Sequence, residues 1–368
     1  MGTIFLIILC MIGILAIVAS YLMLYQLPII QNAPPYNINR LLSIVIPARN
    51  EEGSIDKLLL SVKEQNYSNF EVLVIDDEST DLTASVARKY GARVIQRKKG
   101  KWRGKSSACW FGALEAKGEL LLFLDADTRL SHVNALENMV KVYEEKGGQG
   151  LLSVQPYHTI QKGYENLSIV FNIILIVGMN VFTLWKGFFQ GAGAFGPCIL
   201  TNRRNYFLAG GHKQVASAVM DGLELSKAYS KIGLPTICMG GKGTINFRMY
   251  PNGRKELVNG WTKSFASGST YTHPIIMLLI YSWIAGGIIS GVYWFLPFIN
   301  QGYMIFLILY LLFFLRFYHL ARKVGSFSFF YCLFYPVFFL FFVVLFMRSV
   351  YFTKVRKEVK WKDRKIQI

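Results

Sequence analysis

The chain has 368 residues, 53% of them hydrophobic and 15% aromatic, with a formal net charge of +18. That length suits one domain of roughly 200–250 residues plus a further part, and the apolar share assigns the further part to a membrane. The basic excess does not point to nucleic acid. No nucleic-acid-binding motif occurs, and in a chain with several apolar spans the charge is explained by topology and by attraction to anionic headgroups.

Ile4 to Leu24 is almost wholly apolar, as are His273 to Phe298, Tyr303 to Leu320 and Phe327 to Phe346. Each has about the ~20 residues that a spanning helix needs. Met1-Gly2-Thr3 carries no Lys or Arg, and no small-residue cleavage site precedes the polar Asn32-Ala33-Pro34-Pro35. The first stretch is therefore expected to be a retained anchor rather than a signal peptide. The organisation expected is an anchor over 1–30, a linker over 31–41, a globular domain over 42–270, membrane or interfacial helices over 271–350 and a basic tail over 351–368. Positive-inside places the globular domain in the cytoplasm of a multi-pass protein of the cell membrane. The tail carries Lys354, Arg356, Lys357, Lys360, Lys362, Arg364 and Lys365, and the same rule resists exporting it. Pro336 interrupts the last apolar run, so 327–346 is expected to be re-entrant or interfacial, with the tail inside. The five scattered cysteines are expected to be free thiols, without metal or disulfide spacing.

Within the globular stretch, Leu42 to Pro47 reads as a buried strand, Ile55 to Gln65 as a helix and Phe70 to Ile75 as a strand running into Asp76-Asp77. Leu82 to Tyr90 is helical, Ala92 to Gln96 a strand, and Lys98 to Lys105 a basic loop. Ser106 to Lys117 is a helix, and Glu119 to Leu124 a strand ending at Asp125-Ala126-Asp127. This alternation implies an α/β domain with a mostly parallel, Rossmann-like sheet. Ligands of such sheets sit at the carboxyl ends of the strands, where Arg49-Asn50-Glu51, Asp76-Asp77 and the Asp-x-Asp pair all fall. Residues i and i+2 of a strand share a side, so Asp125 and Asp127 can aim at one divalent cation carrying phosphates. Alone, Asp-x-Asp is a weak signal, since acidic pairs are common in turns. No Gly-x-Gly-x-x-Gly follows the first strand and no Walker loop occurs, so phosphate must be met by metal and basic side chains.

In order and spacing, Ile46-Pro47-Ala48-Arg49-Asn50-Glu51, Asp76-Asp77-Glu78-Ser79-Thr80-Asp81 and Asp125-Ala126-Asp127 resemble the family-two glycosyltransferases of the GT-A fold. The stretches 100–106, 150–158, 194–197, 210–213 and 260–263 resemble a narrower bacterial group that acts on carotenoid acids. The resemblance covers the whole chain. It implies a UDP-sugar donor, with glucose as the hexose, a Mg2+ or Mn2+ ion, and inverting transfer to the carboxyl of a C30 carotenoid acid in staphyloxanthin-like carotenoid biosynthesis. It assigns uracil and ribose to Pro47, Arg49, Glu51 and Asp77, with Asp76 as neighbour. It gives Asp125 to ribose or uracil and Asp127 to the metal. Many members have Gly where Glu78 stands.

Other positions carry two readings each. Asp76 and Asp77 either bind the nucleotide or belong to a helix cap completed by Ser79 or Asp81. The loop Lys98 to Lys105 is a solvated basic surface or a gate facing the diphosphate with Lys101, Arg103, Lys105 and Trp102. Residues 192–197, with Phe195 and Gly196, form an acceptor-side loop or a tight turn. Ile169 to Phe182 is a core helix or a membrane-facing one. Trp261 stacks on the acceptor or anchors at a membrane interface. Arg248 and Lys263 are candidates to help the leaving diphosphate, and the tail's Lys360-Trp361-Lys362-Asp363-Arg364 either resembles a cytosolic Trp-Lys-Gly-Arg-like element of related membrane transferases, with Asp363 in place of Gly, or is a basic lipid-binding tail.

Members of the family usually carry Glu-Asp before a helix, the Asp acting as base. Here the stretch is Met220-Asp221-Gly222, so Asp221 is the catalytic candidate, with His212 and His158 as spares and His212 on the acceptor side. A hydroxyl acceptor needs a general base. A carboxylic acid with a pKa of about 4–5 is already ionised near neutral pH, so the departure favours a carboxylate acceptor. The rivals are transfer to a lipid hydroxyl or polyprenyl phosphate, a non-catalytic nucleotide-sugar binder, and a membrane transporter. The last is disfavoured because the apolar spans carry few ionisable residues.

Overall fold

The computed structural model describes residues 2–31, 39–97, 102–216, 218, 220–294, 303–353, 358–361 and 364–367. In chain order the strands are β1 (Leu42–Ala48), β2 (Phe70–Asp76), β3 (Arg93–Gln96), β4 (Leu120–Leu124), β5 (Thr128–Leu130), β6 (Leu151–Gln155), β7 (Tyr157–His158), β8 (Cys198–Asn202), β9 (Thr236–Gly240), β10 (Ile245–Phe247), β11 (Glu358–Trp361) and β12 (Arg364–Gln367). The helices are α1 (Gly2–Met23), α2 (Ile55–Lys63), α3 (Thr83–Lys89), α4 (Lys105–Glu115), α5 (Ala135–Glu145), α6 (Ile169–Val177) and α7 (Arg203–Leu208), then α8 (Gly211–Gln214), α9 (Asp221–Lys231), α10 (Arg254–Ser269), α11 (Pro274–Ile289), α12 (Tyr303–Val324), α13 (Phe329–Leu333) and α14 (Tyr335–Tyr351).

They fall into two compact units. One comprises Pro28–His158 and Gly193–Arg248 and carries a seven-stranded sheet in the order β3-β2-β1-β4-β8-β6-β9. Strands β1, β2, β3 and β4 run parallel, while β8 is antiparallel to both its neighbours. The helices expected between the first four strands are present. Continuous apolar strands such as Leu120–Leu124 are buried on both faces, as a helix-covered sheet requires. The chain passes from β1 to β2 and β3 on one side and then returns to place β4 on the other, so a switch point lies between β1 and β4. Their register ends at Val45 opposite Phe123, while β1 continues to Ala48 beside Asp76. Beyond that point the strands part. Pro47, which has no N–H to give a ladder, stands past the end of the β1–β4 pairing.

The other unit comprises Met1–Leu27, Thr159–Ala192 and Met249–Ile368. The expected continuous domain over 42–270 is therefore interrupted: Thr159–Ala192 and Met249 onward group with the apolar helices. Helix α6 is the reason in part, since Ile169, Val170, Phe171, Ile173, Ile176 and Val177 are all buried. It is a core helix of this second unit, and the membrane-facing alternative for it is set aside.

Helix α1 packs antiparallel on α11 with Gly286 against Ala16, and Gly13 meets Tyr293 in the turn that follows α11. Among the described residues, two helices are long and apolar enough to cross a membrane, Ile4–Met23 and Met304–Val324. The expected span from His273 forms a helix of only 16 residues, capped by His273, whose Nδ1 accepts from Ile275 N at 3.3 Å. The last apolar run breaks at Phe334, and Pro336 sits in the first turn of α14, where its missing N–H costs nothing. Leu333 O accepts from Tyr310 OH, while Ser349 Oγ at the far end of α14 donates to Thr262 O on α10. Strands β11 and β12 form an antiparallel hairpin. Lys354, Arg356, Lys357, Lys362 and Asp363 lie outside the described residues.

Candidate active site

The loops that leave β1 and β2 are stitched together. Asn50 N donates to Ser79 Oγ, and Thr80 N donates to Asn50 Oδ1 at 2.9 Å. Glu51 N donates to Thr83 Oγ1, Glu52 N to Asp81 Oδ2, and Leu82 N to Glu52 Oε2. Arg49 Nη1 donates to the carbonyls of Asp77 and Glu78 at 2.7 and 3.2 Å. Asn50 and Glu78 both adopt positive φ, 51° and 61°. Asn tolerates this conformation, whereas Glu pays on the order of 1 kcal/mol. Glu78 thus holds a left-handed turn, with Arg49 and Arg103 within 3.7 and 3.6 Å of its carboxylate.

Asp76 and Asp77 are both buried. Asp76 Oδ1 accepts from Ser79 N, and Asp81 Oδ1 from Thr83 N, so both acids brace the turn into α3. Asp77 is fixed from two sides: Arg97 Nη1 lies 2.7 Å from Oδ1, and Gly104 N donates to Oδ2 at 3.0 Å. The Arg97 guanidinium also donates to Trp102 O. The sequence reading missed Arg97. Its signal was faint, a single Arg just past a short strand, and only tertiary packing pairs it with Asp77. Lys101 lies outside the described residues.

Strand β4 ends at Leu124, and residues 125–128 form a turn closed by Thr128 N donating to Asp125 O at 3.1 Å. The acidic pair therefore projects from a turn rather than from a strand. Ala126 is buried between them, while Asp127 opens to solvent on one side. Neighbouring protein partly desolvates the Asp127 carboxyl, and the charges of Asp125 and Glu51 add to the effect, pushing its pKa up to about 7. Lys105, the first residue of α4, reaches Asp125 with Nζ 2.7 Å from Oδ1. The same ammonium donates to Gly196 O at 3.1 Å and lies 3.8 Å from Asp221 Oδ2. Burial raises the Asp125 pKa and the Lys105 ammonium opposes the rise, while the carboxylates hold Lys105 protonated. One lysine thus ties the acidic pair to the acid at the start of α9.

Asp221 Oδ1 accepts from Gly222 N at 2.8 Å. A Cβ on Gly222 would lie 2.5 Å from Ala194 O and 3.0 Å from Gly196 N. A Cβ on Gly196 would come within 3.2 Å of both Asp221 Oδ1 and Lys105 Nζ. The loop 193–197 and the start of α9 are in backbone contact, so no side chain fits at position 222 without a shift of that loop. Phe195 is buried in the protein, its N–H donating to Ser153 Oγ at 2.6 Å. Gly196, not the Phe195 ring, borders the charged groups.

His212 is buried against Phe123 and Tyr206, with Nδ1 2.9 Å from Tyr206 OH. Burial pulls its pKa down to about 4, which leaves a neutral ring engaged with a buried tyrosine rather than facing an acceptor. His158 packs on Phe247, likewise buried. Trp261 belongs to the helical unit. Its indole stacks on Phe171 at 4.8 Å, and Nε1 donates to Ser168 Oγ at 3.0 Å. It is a core residue there and not an exposed interfacial anchor. The Lys263 side chain lies outside the described residues.

Among the described residues, no group of three or more His, Cys, Asp or Glu side chains is close enough to cage a metal. A hard cation can be held by as few as one or two carboxylates, with the remaining oxygens coming from water and a diphosphate. The crowded Asp127 carboxyl, open on one side, is the group that a dication would relieve. An open depression lined by Arg40, Glu119, Gln149 and Asn202 lies at the opposite ends of β1 and β4 and takes no part in this cluster.

The mostly parallel sheet, with its acids gathered at one switch point, is the central sheet of a GT-A fold. The profile of the family "Glycosyl transferase family 2" matches residues 43–206. The chain is 39% identical over 342 residues to the 4,4'-diaponeurosporenoate glycosyltransferase of Staphylococcus aureus strain USA300, covering 91% of each chain. It is equally similar to that of strain N315 over 335 residues, 90% of this chain and 89% of the relative. The chain belongs to glycosyl transferase family 2 and is a glycosyltransferase. Its fold is similar to that of the mannosyltransferase from Pyrobaculum calidifontis solved with GDP-Man and Mn2+ (TM-score 0.54, 16% identity, 93% of this chain and 99% of that one).

Proposed function

We propose that this enzyme moves glucose from UDP-glucose to the carboxyl of a C30 carotenoid acid, with inversion, forming a glycosyl ester. The observation that carries the acceptor assignment is the absence of room for a side chain at Gly222, where Ala194 O stands in the way. The nearby acid, Asp221, is tied by its own helix N–H and by the approach of Lys105. A site with so little provision for a base suits an acceptor that arrives ionised. The S. aureus relatives, named for 4,4'-diaponeurosporenoate, support the same acceptor class.

In this reading the loop that carries Pro47, Arg49 and Glu51, with Asp76 and Asp77 opposite, receives uracil and ribose. Asp125 meets the ribose. Asp127 holds Mg2+ or Mn2+, which would supply countercharge to the departing diphosphate. Lys105 offers a second positive charge, and Gly196 and Asp221 border the acceptor. The acceptor oxygen attacks the anomeric carbon in line as the bond to UDP breaks, and positioning of the two reactants lowers the barrier.

The acceptor dissolves in a bilayer, which gives the apolar helices their purpose. We place the enzyme in the cell membrane as a multi-pass protein with its catalytic unit and tail in the cytoplasm, and 327–346 re-entrant or interfacial. A cysteine-accessibility map that found Lys365 outside would overturn that topology.

The test of the reaction supplies membranes with labelled UDP-glucose and either diaponeurosporenoic acid or a lipid alcohol. Label in an alkali-labile ester of the acid supports the proposal, and label in the alcohol alone overturns it. The retained Asp221 favours one second reading, transfer to a lipid hydroxyl with that carboxylate as base, which the alcohol arm detects.

A further inference from the structure

Between α6 and α10 the helical unit holds a tip, Leu184-Trp185-Lys186-Gly187-Phe188, in which every residue is exposed. Phe188 is 80% exposed, more than any other large apolar residue described. The tip is not loose. Leu184 N donates to Leu22 O at 2.9 Å, and Tyr25 N donates to Phe182 O at the same distance. The last turn of α1 and the root of the tip therefore share backbone hydrogen bonds, which fixes them at one level along the helix axis. The other side of the root is also anchored. Asn180 Nδ2 donates to Tyr271 O, His273 N donates to Asn180 Oδ1, and the His273 ring lies 4.3 Å from Phe189. The start of α11 is thereby held at the same level. Gly187, at φ 84°, turns the chain, and Phe188 N donates to Trp185 O at 3.0 Å across the turn.

The level itself has a meaning. The 20 residues Ile4–Met23 span about 30 Å, the thickness of a hydrocarbon core, and the tip is tied to their final turn. Tyr21 and Tyr25, on that same end of α1, are also exposed. Two tyrosines, a tryptophan, a phenylalanine and a lysine gathered at the mouth of an apolar helix form an aromatic belt, the composition that settles at a headgroup boundary. Lys186 can meet lipid phosphate while its neighbours enter the acyl region.

We propose that Leu184–Phe188 is a wedge inserted into the headgroup–acyl boundary of one leaflet, a membrane contact separate from the helices. It rests on the reading that α1 lies in a bilayer. The wedge orients the helical unit against the leaflet at a fixed depth, which a helix free to tilt and rotate does not do by itself.

The full-length protein in nanodiscs of phosphatidylcholine and phosphatidylglycerol tests this with an environment-sensitive fluorophore on Phe188→Cys. Met11→Cys, on the exposed face of α1, and Ser230→Cys, on α9, serve as references. The expected result is blue-shifted Phe188 emission, quenched by lipids labelled near the headgroup and protected from iodide. Met11 is quenched by deep labels and Ser230 by iodide alone. Iodide quenching of Phe188 like that of Ser230, with Met11 still quenched from the acyl region, overturns the wedge and leaves the membrane anchor standing. Loss of lipid quenching at Met11 as well overturns both. Phe188 shielded from iodide and from every lipid label means that a protein surface covers the tip, and that also overturns the wedge.

Discussion

The carbonyl oxygen of Ala194 lies 2.5 Å from where a Cβ of Gly222 would stand. That contact decides what can occupy the first turn of α9. The neighbouring Gly193 is under the same constraint, since its Cβ would sit 2.6 Å from Leu223 Cα. Two glycines meeting two backbones let loop and helix approach closely, and Lys105 Nζ lies 3.1 Å from Gly196 O of the loop and 3.8 Å from Asp221 Oδ2 of the helix.

Gly222→Ala is expected to lower stability by about 1–3 kcal/mol, the usual cost of overpacking a close contact. Gly222→Asp is expected to do the same without creating transfer to alcohols. Thermal melts of both variants in detergent check the first point, and the alcohol-acceptor assay checks the second. A stable Gly222→Asp enzyme with brisk alcohol transfer would show that the close contact is dispensable.

Asp127 opens to solvent and its side chain supports no part of the core. Asp127→Asn should leave the melting temperature nearly unchanged and lower kcat by about 10²–10³-fold, the scale seen when a stabiliser of developing charge is removed. Initial rates across a Mn2+ or Mg2+ titration measure it. Unimpaired transfer by this variant would remove the metal role from Asp127.

Lys105 is partly buried between two carboxylates. Lys105→Met leaves Asp125 and Asp221 facing one another without a cation, and we expect a stability loss of about 1–3 kcal/mol. Donor KM should rise as well, with Lys105→Arg recovering part of both. Titration with UDP followed by calorimetry separates the two effects, because a purely structural lysine would change the melt and spare UDP affinity.

His212 supplies a pH signature. Tyr206 OH and the Phe123 ring face it directly, and Asp221 and Lys105 act on it by charge. Its folded pKa of about 4 lies below the unfolded value near 6.5. Between those values the unfolded chain binds the extra proton, so this contribution is complete above about pH 6.5. It is lost as pH falls toward 4, amounting in all to about 2–4 kcal/mol. Replacing it, as in His212→Gln, is expected to flatten that limb of the stability–pH curve. A limb of unchanged slope would show the ring protonated in the folded state.

Arg316 lies inside α12 and closes the end of α1, donating to Ser20 O at 2.8 Å and Leu24 O at 2.9 Å while its guanidinium covers the Tyr21 ring at 3.9 Å. Apolar surroundings make orphaned carbonyls expensive. Arg316→Met is therefore expected to destabilise the helical unit by about 2–4 kcal/mol, and Arg316→Lys by less. Unfolding in nanodiscs followed by circular dichroism checks the order of the two.

The arrangement of strands and helices through β4 was legible because apolar runs of strand length alternate with helical periods, and that alternation admits few packings. The acids at the strand ends were legible for the same reason, since ends of parallel strands share one edge. Local sequence also marked an interruption near Pro336, which stands in the first turn of α14 just past the break at Phe334. Other features depended on residues distant in the chain. Arg97 meets Asp77 across 20 positions and Lys105 meets Gly196 across 91, and nothing in either segment names its partner. The assignment of Thr159–Ala192 to the helical unit, the burial of Trp261 and His212, and the exposure of Phe188 were likewise decided by which surfaces came together. Periodicity tells a chain which face to bury. What that face is buried against, and which polar group is left close enough to a charge to matter, is fixed only when distant segments compete for the same space.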